Sequence, residues 1–120
     1  MNQPTPTNYT EAADVLGSRD ARKIAHNTCL ERLDAETIGV RLHSTYVVRF
    51  HAVGTVTLDS GGWQTVTTKE RMNRYLGAGF GLYQKAHVWY VDTPAGVEEY
   101  SDGMTLAPDS ATLTTNAQKD

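Results

Sequence analysis

Ile38-Gly39-Val40-Arg41-Leu42-His43-Ser44-Thr45-Tyr46-Val47-Val48-Arg49-Phe50 is the stretch that decides the fold. Ile38, Val40, Leu42, Ser44, Tyr46, Val48 and Phe50 are apolar or small at every second position, while Arg41, His43, Thr45, Arg49 and then His51 fall between them. A period of two means extended chain with one buried face, because successive side chains of a strand point to opposite sides of the sheet. An unbroken strand of this length is unusual. The polar run His43-Ser44-Thr45 in its middle therefore predicts a bend or turn between two strands.

Working outward, Cys29–Leu33 reads as a strand joined through Asp34–Glu36 to an antiparallel neighbour, Thr37–His43. On the other side Tyr46–His51 and Thr55–Asp59 form a hairpin around Ala52–Gly54, with Val56 and Leu58 turned inward. Ser18 is placed to cap a short helix over Arg19–Ala25, followed by a turn at Asn27 and Thr28. Asp59-Ser60-Gly61-Gly62 is the strongest loop signal, and Trp63 after it is expected to close one end of the core. Thr67 with Glu70 has the form of a capping box for an amphipathic helix carrying Val66, Arg71, Met72, Tyr75 and Leu76 and ending at Gly77. Phe80–Gln84, His87–Asp92 and Val97–Tyr100 return to strand patterning, with Thr93-Pro94-Ala95-Gly96 as a turn. No long period repeats, which excludes solenoids and propellers.

The expected architecture is α+β: a predominantly antiparallel twisted sheet or partly open β-roll packed by one amphipathic helix, with a short N-terminal helix. At 120 residues there is room for one domain able to fold without disulfides. It is expected over residues 16–106. The polar, Thr-, Asn- and Pro-bearing ends, residues 1–15 and 107–120, read as flexible tails.

The net charge of −3 is expected to lie mostly in the ends, since Leu16 to Tyr100 holds ten Lys and Arg against nine Asp and Glu. A near-neutral core leaves no strong nucleic-acid footprint, although a local basic stripe can hide inside a neutral total. The single cysteine, Cys29, has no internal disulfide partner and suits a small core residue. Neither a signal peptide nor a long apolar run is present, so the expectation is a soluble protein away from membranes.

Arg41, His43, Arg49 and His51 are the first candidate site. A continuous or gently bent strand lines them up opposite the apolar set, where Arg offers paired donors to phosphate and His a further ring donor. The competing account is the solvated outer face of a half-exposed sheet, and a turn at Ser44 breaks the register on which the alignment depends. Tyr83, Lys85 and Trp89 are the second candidate. With Tyr90, Tyr100, Arg71 and Arg74 they offer a stacking and electrostatic platform for single-stranded nucleic acid, against the plainer role of core and cross-strand packing. The four histidines lack zinc-ligand spacing, no nucleophile elbow exists, and Gly77, Gly79 and Gly81 lack the Lys and helix of a phosphate loop. No metal, cofactor or catalytic residue is therefore expected.

The residues Lys23-Ile24-Ala25-His26-Asn27-Thr28, Val40-Arg41-Leu42-His43-Ser44-Thr45, Gly54-Thr55-Val56-Thr57-Leu58 and Gly61-Gly62-Trp63-Gln64-Thr65-Val66-Thr67-Thr68-Lys69 carry a resemblance. So do Val88-Trp89-Tyr90-Val91 and Tyr100-Ser101-Asp102-Gly103-Met104. On these the chain resembles a family of small bacteriophage proteins. The resemblance implies phage origin and the host cytoplasm as location, and it brings neither an activity nor a site. Two functions are then expected. The first is a non-enzymatic accessory module that binds a host or phage protein or associates with itself; the second is a nucleic-acid or nucleotide-phosphate binder using the basic strand face or the aromatic patch.

Overall fold

Turns of two residues organise most of the chain. The computed structural model describes residues 4–107. After helix α1 (Tyr9–Leu16) come strands β1 (Ala21–Ala25), β2 (Thr28–Asp34), β3 (Thr37–Leu42), β4 (Thr45–His51) and β5 (Val56–Leu58). Helix α2 (Val66–Arg74) precedes β6 (Gly81–Lys85), β7 (Val88–Thr93), β8 (Gly96–Glu99) and the short β9 (Met104–Leu106). The connections β1–β2, β2–β3, β3–β4, β6–β7 and β7–β8 each span two residues. Asn27, His43, Ala86 and His87 take positive φ there, as tight hairpin turns require.

The strands pair entirely antiparallel in two sheets, one of order β1-β2-β3-β4-β5-β9 and one of order β6-β7-β8, and neither closes. This is the α+β class expected, with an open sheet and a short N-terminal helix. The inner face of the large sheet is apolar: Ile24, Leu30, Ile38, Val40, Val48, Phe50 and Leu58 are fully buried. Ala12 and Leu16 of α1, Met72 of α2, and Leu82, Trp89 and Val91 of the small sheet join the same core. One core thus unites both sheets and both helices.

Several local expectations give way to tertiary pairing. The helix predicted over Arg19–Ala25 is strand β1, because its Arg22 and Lys23 pair with Leu30 and Cys29 on β2. So short a helix gains little from propensity, and sheet pairing with a buried Ile24 outweighs it. The N-terminal helix instead starts at Tyr9, within the stretch read as a tail. The Asn8 side chain accepts from Glu11 N–H at 2.8 Å while the Glu11 carboxylate accepts from Thr7 N–H at 2.8 Å, a reciprocal cap. The C-terminal tail beyond residue 107 lies outside the described residues.

Helix α2 is capped by Thr65 rather than Thr67: its hydroxyl accepts from Thr68 N–H at 3.1 Å. Trp63 does not close the core but stands 66% exposed. The residue of that loop that goes inside is Ser60, held by Asp102 through both its N–H and its hydroxyl at 3.0 and 2.8 Å. Trp89, tilted against Tyr100 with centroids 5.4 Å apart, is the indole that fills the interior.

Candidate functional site

Parity along the β3–β4 hairpin governs which polar residues meet. The turn at His43-Ser44 sets Arg41 opposite Tyr46, and a regular ladder beyond it would put Val48 on the same face as Arg41 and expel Arg49 to the other. A β-bulge intervenes. Val40 pairs with Val48 while Arg41 pairs with Tyr46, so Val47 is the extra residue, and Val47 and Val48 are both buried. One added residue returns Arg49 to the face of Arg41. The same bulge moves Tyr46 off the inward set in which the alternation places it.

The outer face of the large sheet is thereby laid out in rows. Lys23, Cys29, Arg41 and Tyr46 stand in register across β1 to β4. Glu31, Gly39, Arg49, Thr57 and Thr105 form the next row across β2, β3, β4, β5 and β9. Gly39 leaves the space that the Tyr46 ring and Leu33 fill: a β-carbon there would lie 2.9 Å from a Tyr46 ring carbon.

Glu31 ties this surface together. It accepts from Arg41 Nε and, at 2.8 Å, from the Tyr46 hydroxyl, and Arg41 donates a second bond to the His43 carbonyl. Burial raises the Glu31 carboxyl, but the bonds from Tyr46 and Arg41 together outweigh it and hold it below its ordinary range. The Tyr46 phenol is raised, first by that bond and then by burial. Arg49 is different. Its guanidinium lies over the Tyr46 ring, 5.8 Å from the centroid, and forms no ion pair among the described residues.

Of the four residues expected in one stripe, Arg41 and Arg49 share the face around Tyr46, Arg41 as its register partner and Arg49 over its ring. His51 shares their face further along β4, where Nε2 bonds the Thr57 hydroxyl at 2.8 Å and Nδ1 that of Thr37 at 3.4 Å. His43 sits in the turn at the opposite end, its N–H donating to Asn27 O at 2.9 Å. These four do not converge on one point.

The aromatic patch divides. Tyr83 stacks on Tyr90 across β6 and β7 at 5.6 Å between centroids, on the outer face of the small sheet with exposed Lys85. Trp89 faces inward, 4% exposed, with Lys69 Nζ 5.7 Å from its ring. It belongs to the core rather than to a platform.

A cleft of about 450 Å³ escaped the sequence reading. It lies between the β3–β4 turn and the start of α2, with Leu42 and Val47 below and Thr45, Ser60 and Trp63 around it. Its signal is present in the sequence as the Gly61-Gly62-Trp63 loop followed by threonines, but only the fold brings that loop to the turn. A second depression, about 270 Å³, is lined by Lys23, Asn27, Arg41 and His43. His43 borders both. No group of three or more His, Cys, Asp or Glu positioned for a metal occurs among the described residues, and no described helix is long and apolar enough to cross a membrane.

Fold and site together define an open, two-sheet α+β domain with a polar, cation-bearing sheet face. Residues 8–107 match the model of the Kyanoviridae Gp96 protein family, and the chain belongs to that family of phage proteins. No curated protein and no solved structure matches it.

Proposed function

We propose that this phage protein is a non-enzymatic module of the host cytoplasm that binds a phosphate-bearing ligand, nucleic acid or nucleotide, on the outer face of the large sheet. The observation that carries this reading is the bulge at Val47, which puts Arg49 beside Arg41 and Tyr46 with its charge unspent on any carboxylate. Lys23, exposed in the same row as Arg41, adds a second uncompensated cation. Guanidinium and ammonium groups that share one sheet face can each contact a phosphate, which supports this reading, and an Arg spread on an aromatic ring keeps its donors oriented at little entropic cost.

Binding of a labelled single-stranded oligonucleotide, titrated at two or more salt concentrations, tests it. The expected result is affinity that falls as salt rises, with the slope of log K against log salt reduced by about one for each of Arg49→Ala and Lys23→Ala. Salt-independent binding, or no binding at low salt, overturns it.

A protein-binding role has one specific observation behind it. All four residues of β8 are exposed, Val97 by 57%, on an edge that no described element covers. An open strand edge accepts a partner strand. Glu98 and Glu99 oppose pairing with a second copy, which favours a host or phage protein over self-association.

A further inference from the structure

We infer that the cleft beneath the β3–β4 turn receives one unpaired nucleobase, stacked on Trp63, of a strand whose phosphate lies in the neighbouring basic depression. This deepens the reading above and rests on it, since the phosphate contacts are those of the same sheet.

An indole left 66% exposed at the mouth of a cleft is the first observation. Large aromatic side chains normally go inside, and this domain's other tryptophan does so at 4% exposure. The second is the lining. The floor is apolar, Leu42 and Val47 being 5% and 1% exposed, and no carboxylate, Lys or Arg borders it. Such a space suits a neutral, flat ligand with an apolar face. Ser44, Thr45 and Thr67 also border it, and their hydroxyls take part in no hydrogen bond within the described residues, leaving donors and acceptors for a base edge.

The loop carrying Trp63 is fixed in place. Ser60 is anchored to Asp102, and Asp59 accepts from Gly61 N–H at 2.7 Å. Gly61, at φ +62°, lets the loop close on the turn, for a β-carbon there would lie 2.7 Å from Thr45 Oγ1. The backbone that carries the indole is thus preorganised, which lowers the entropic cost of binding.

A sugar ring also stacks on indole. The depression on the other side of the turn decides between the two, because His43 borders both spaces and Lys23 and Arg41 line the second. The apolar cleft and, across His43, a hollow whose unpaired cation is Lys23 match base and phosphate. The volume admits one base with its ribose. A base held in a duplex keeps both faces stacked and cannot enter, so the strand must be single.

The test is tryptophan fluorescence and anisotropy on the full chain, with oligo(dT) and an abasic oligonucleotide of equal length and charge as probes. Oligo(dT) is expected to quench Trp63 emission and to bind about tenfold or more tighter than the abasic strand, within the range that base stacking supplies. Trp63→Ala should abolish that preference and leave abasic binding unchanged, while Trp63→Phe restores part of it. Quenching by thymidine monophosphate as well identifies a mononucleotide site; quenching by the oligomer alone identifies a strand site; both support a base pocket. Equal affinity for the two strands, or full oligo(dT) binding by Trp63→Ala, overturns the pocket while the phosphate reading stands. Failure of both strands to bind overturns both readings, and quenching by a neutral oligosaccharide instead of oligo(dT) overturns the base assignment.

Discussion

The two sheets end in different ways. The large one ends on strands, β1 at one edge and the three-residue β9 at the other, and Arg32 N–H to Asp20 O at 2.8 Å prolongs the β1–β2 ladder by one residue. The small one is finished by side chains. Asn73 of α2 donates to Leu82 O at 2.9 Å and accepts from Leu82 N–H at 2.7 Å, a carboxamide standing where a further strand would pair with β6. At its other edge β8 has only charge, Glu98 and Glu99, to discourage a partner. A sheet whose inner face is filled along six strands is specified by its own pattern, whereas three strands borrow their order from a helix and from the Trp89–Tyr100 contact.

The largest test of that contrast is in the core. Phe50 is fully buried, so Phe50→Ala should cost about 3–5 kcal/mol in chemical denaturation, a large part of the stability of a domain this size. Trp89→Ala, on the small sheet, should cost a comparable amount and through the same single transition, since both residues belong to one core cluster. A separate early transition in the Trp89 variant would make the small sheet an independently melting unit.

Asn73→Ala isolates the borrowed edge. It leaves Leu82 N–H and C=O without their partner, and an unmet pair of this kind costs about 1–3 kcal/mol where water cannot replace it fully. Hydrogen exchange should show lost protection at the Leu82 amide and none on β2 or β3. Unchanged exchange at Leu82 would mean that β6 is held by β7 alone.

Glu31→Gln probes the outer face of the large sheet. The folded-state carboxyl of Glu31 lies below its ordinary value, so the unfolded chain binds the proton more readily. The stability this supplies is present at neutral pH and lost as pH falls through the ordinary carboxyl range and then through the lowered one. The variant should therefore be slightly less stable at neutral pH, by about 1 kcal/mol or less because the pair is partly exposed, and should show a shallower acid limb. It also releases Arg41, so phosphate-dependent binding should tighten. Weaker binding would mean that Glu31 positions Arg41 for the ligand.

Legibility followed the same division. The strands from Thr28 to Leu58 were readable because one face is buried and the period of two has to be kept; the bend at Ser44 was readable from three polar residues in an apolar run. The bulge left only a trace, Val47 apolar at a position that alternation reserves for a polar residue. Helix α1 was misread as tail because Asn, Thr and Pro dominate its approach, although Asn8 and Glu11 stand at capping-box spacing. Strand β1 was misread as helix because Ala, Arg and Lys favour helices, a local preference that pairing with β2 overrides. Strand β9 has three residues and a partner far away in the chain, and no local pattern announces it. The cleft was illegible for a related reason: burial was expected of Trp63, and only the fold brings the Gly61 loop against Thr45.

The smallest expected effect completes the comparison at the open edge. Val97 faces solvent on β8, so Val97→Thr keeps the β-branched shape and strand preference and removes no buried surface. Stability should stay within about 0.5 kcal/mol, as for surface substitutions that touch no cap, core or network. The same change on the large sheet, Val48→Thr, places a hydroxyl at a fully buried site with no partner provided and should destabilise by about 1–3 kcal/mol. Two isosteric changes on two sheets then measure how far each strand is committed to the interior. A sizeable loss at Val97 in dilute protein would reveal packing against β8, and a loss only at higher concentration would reveal a second copy on that edge, against the repulsion of its two glutamates.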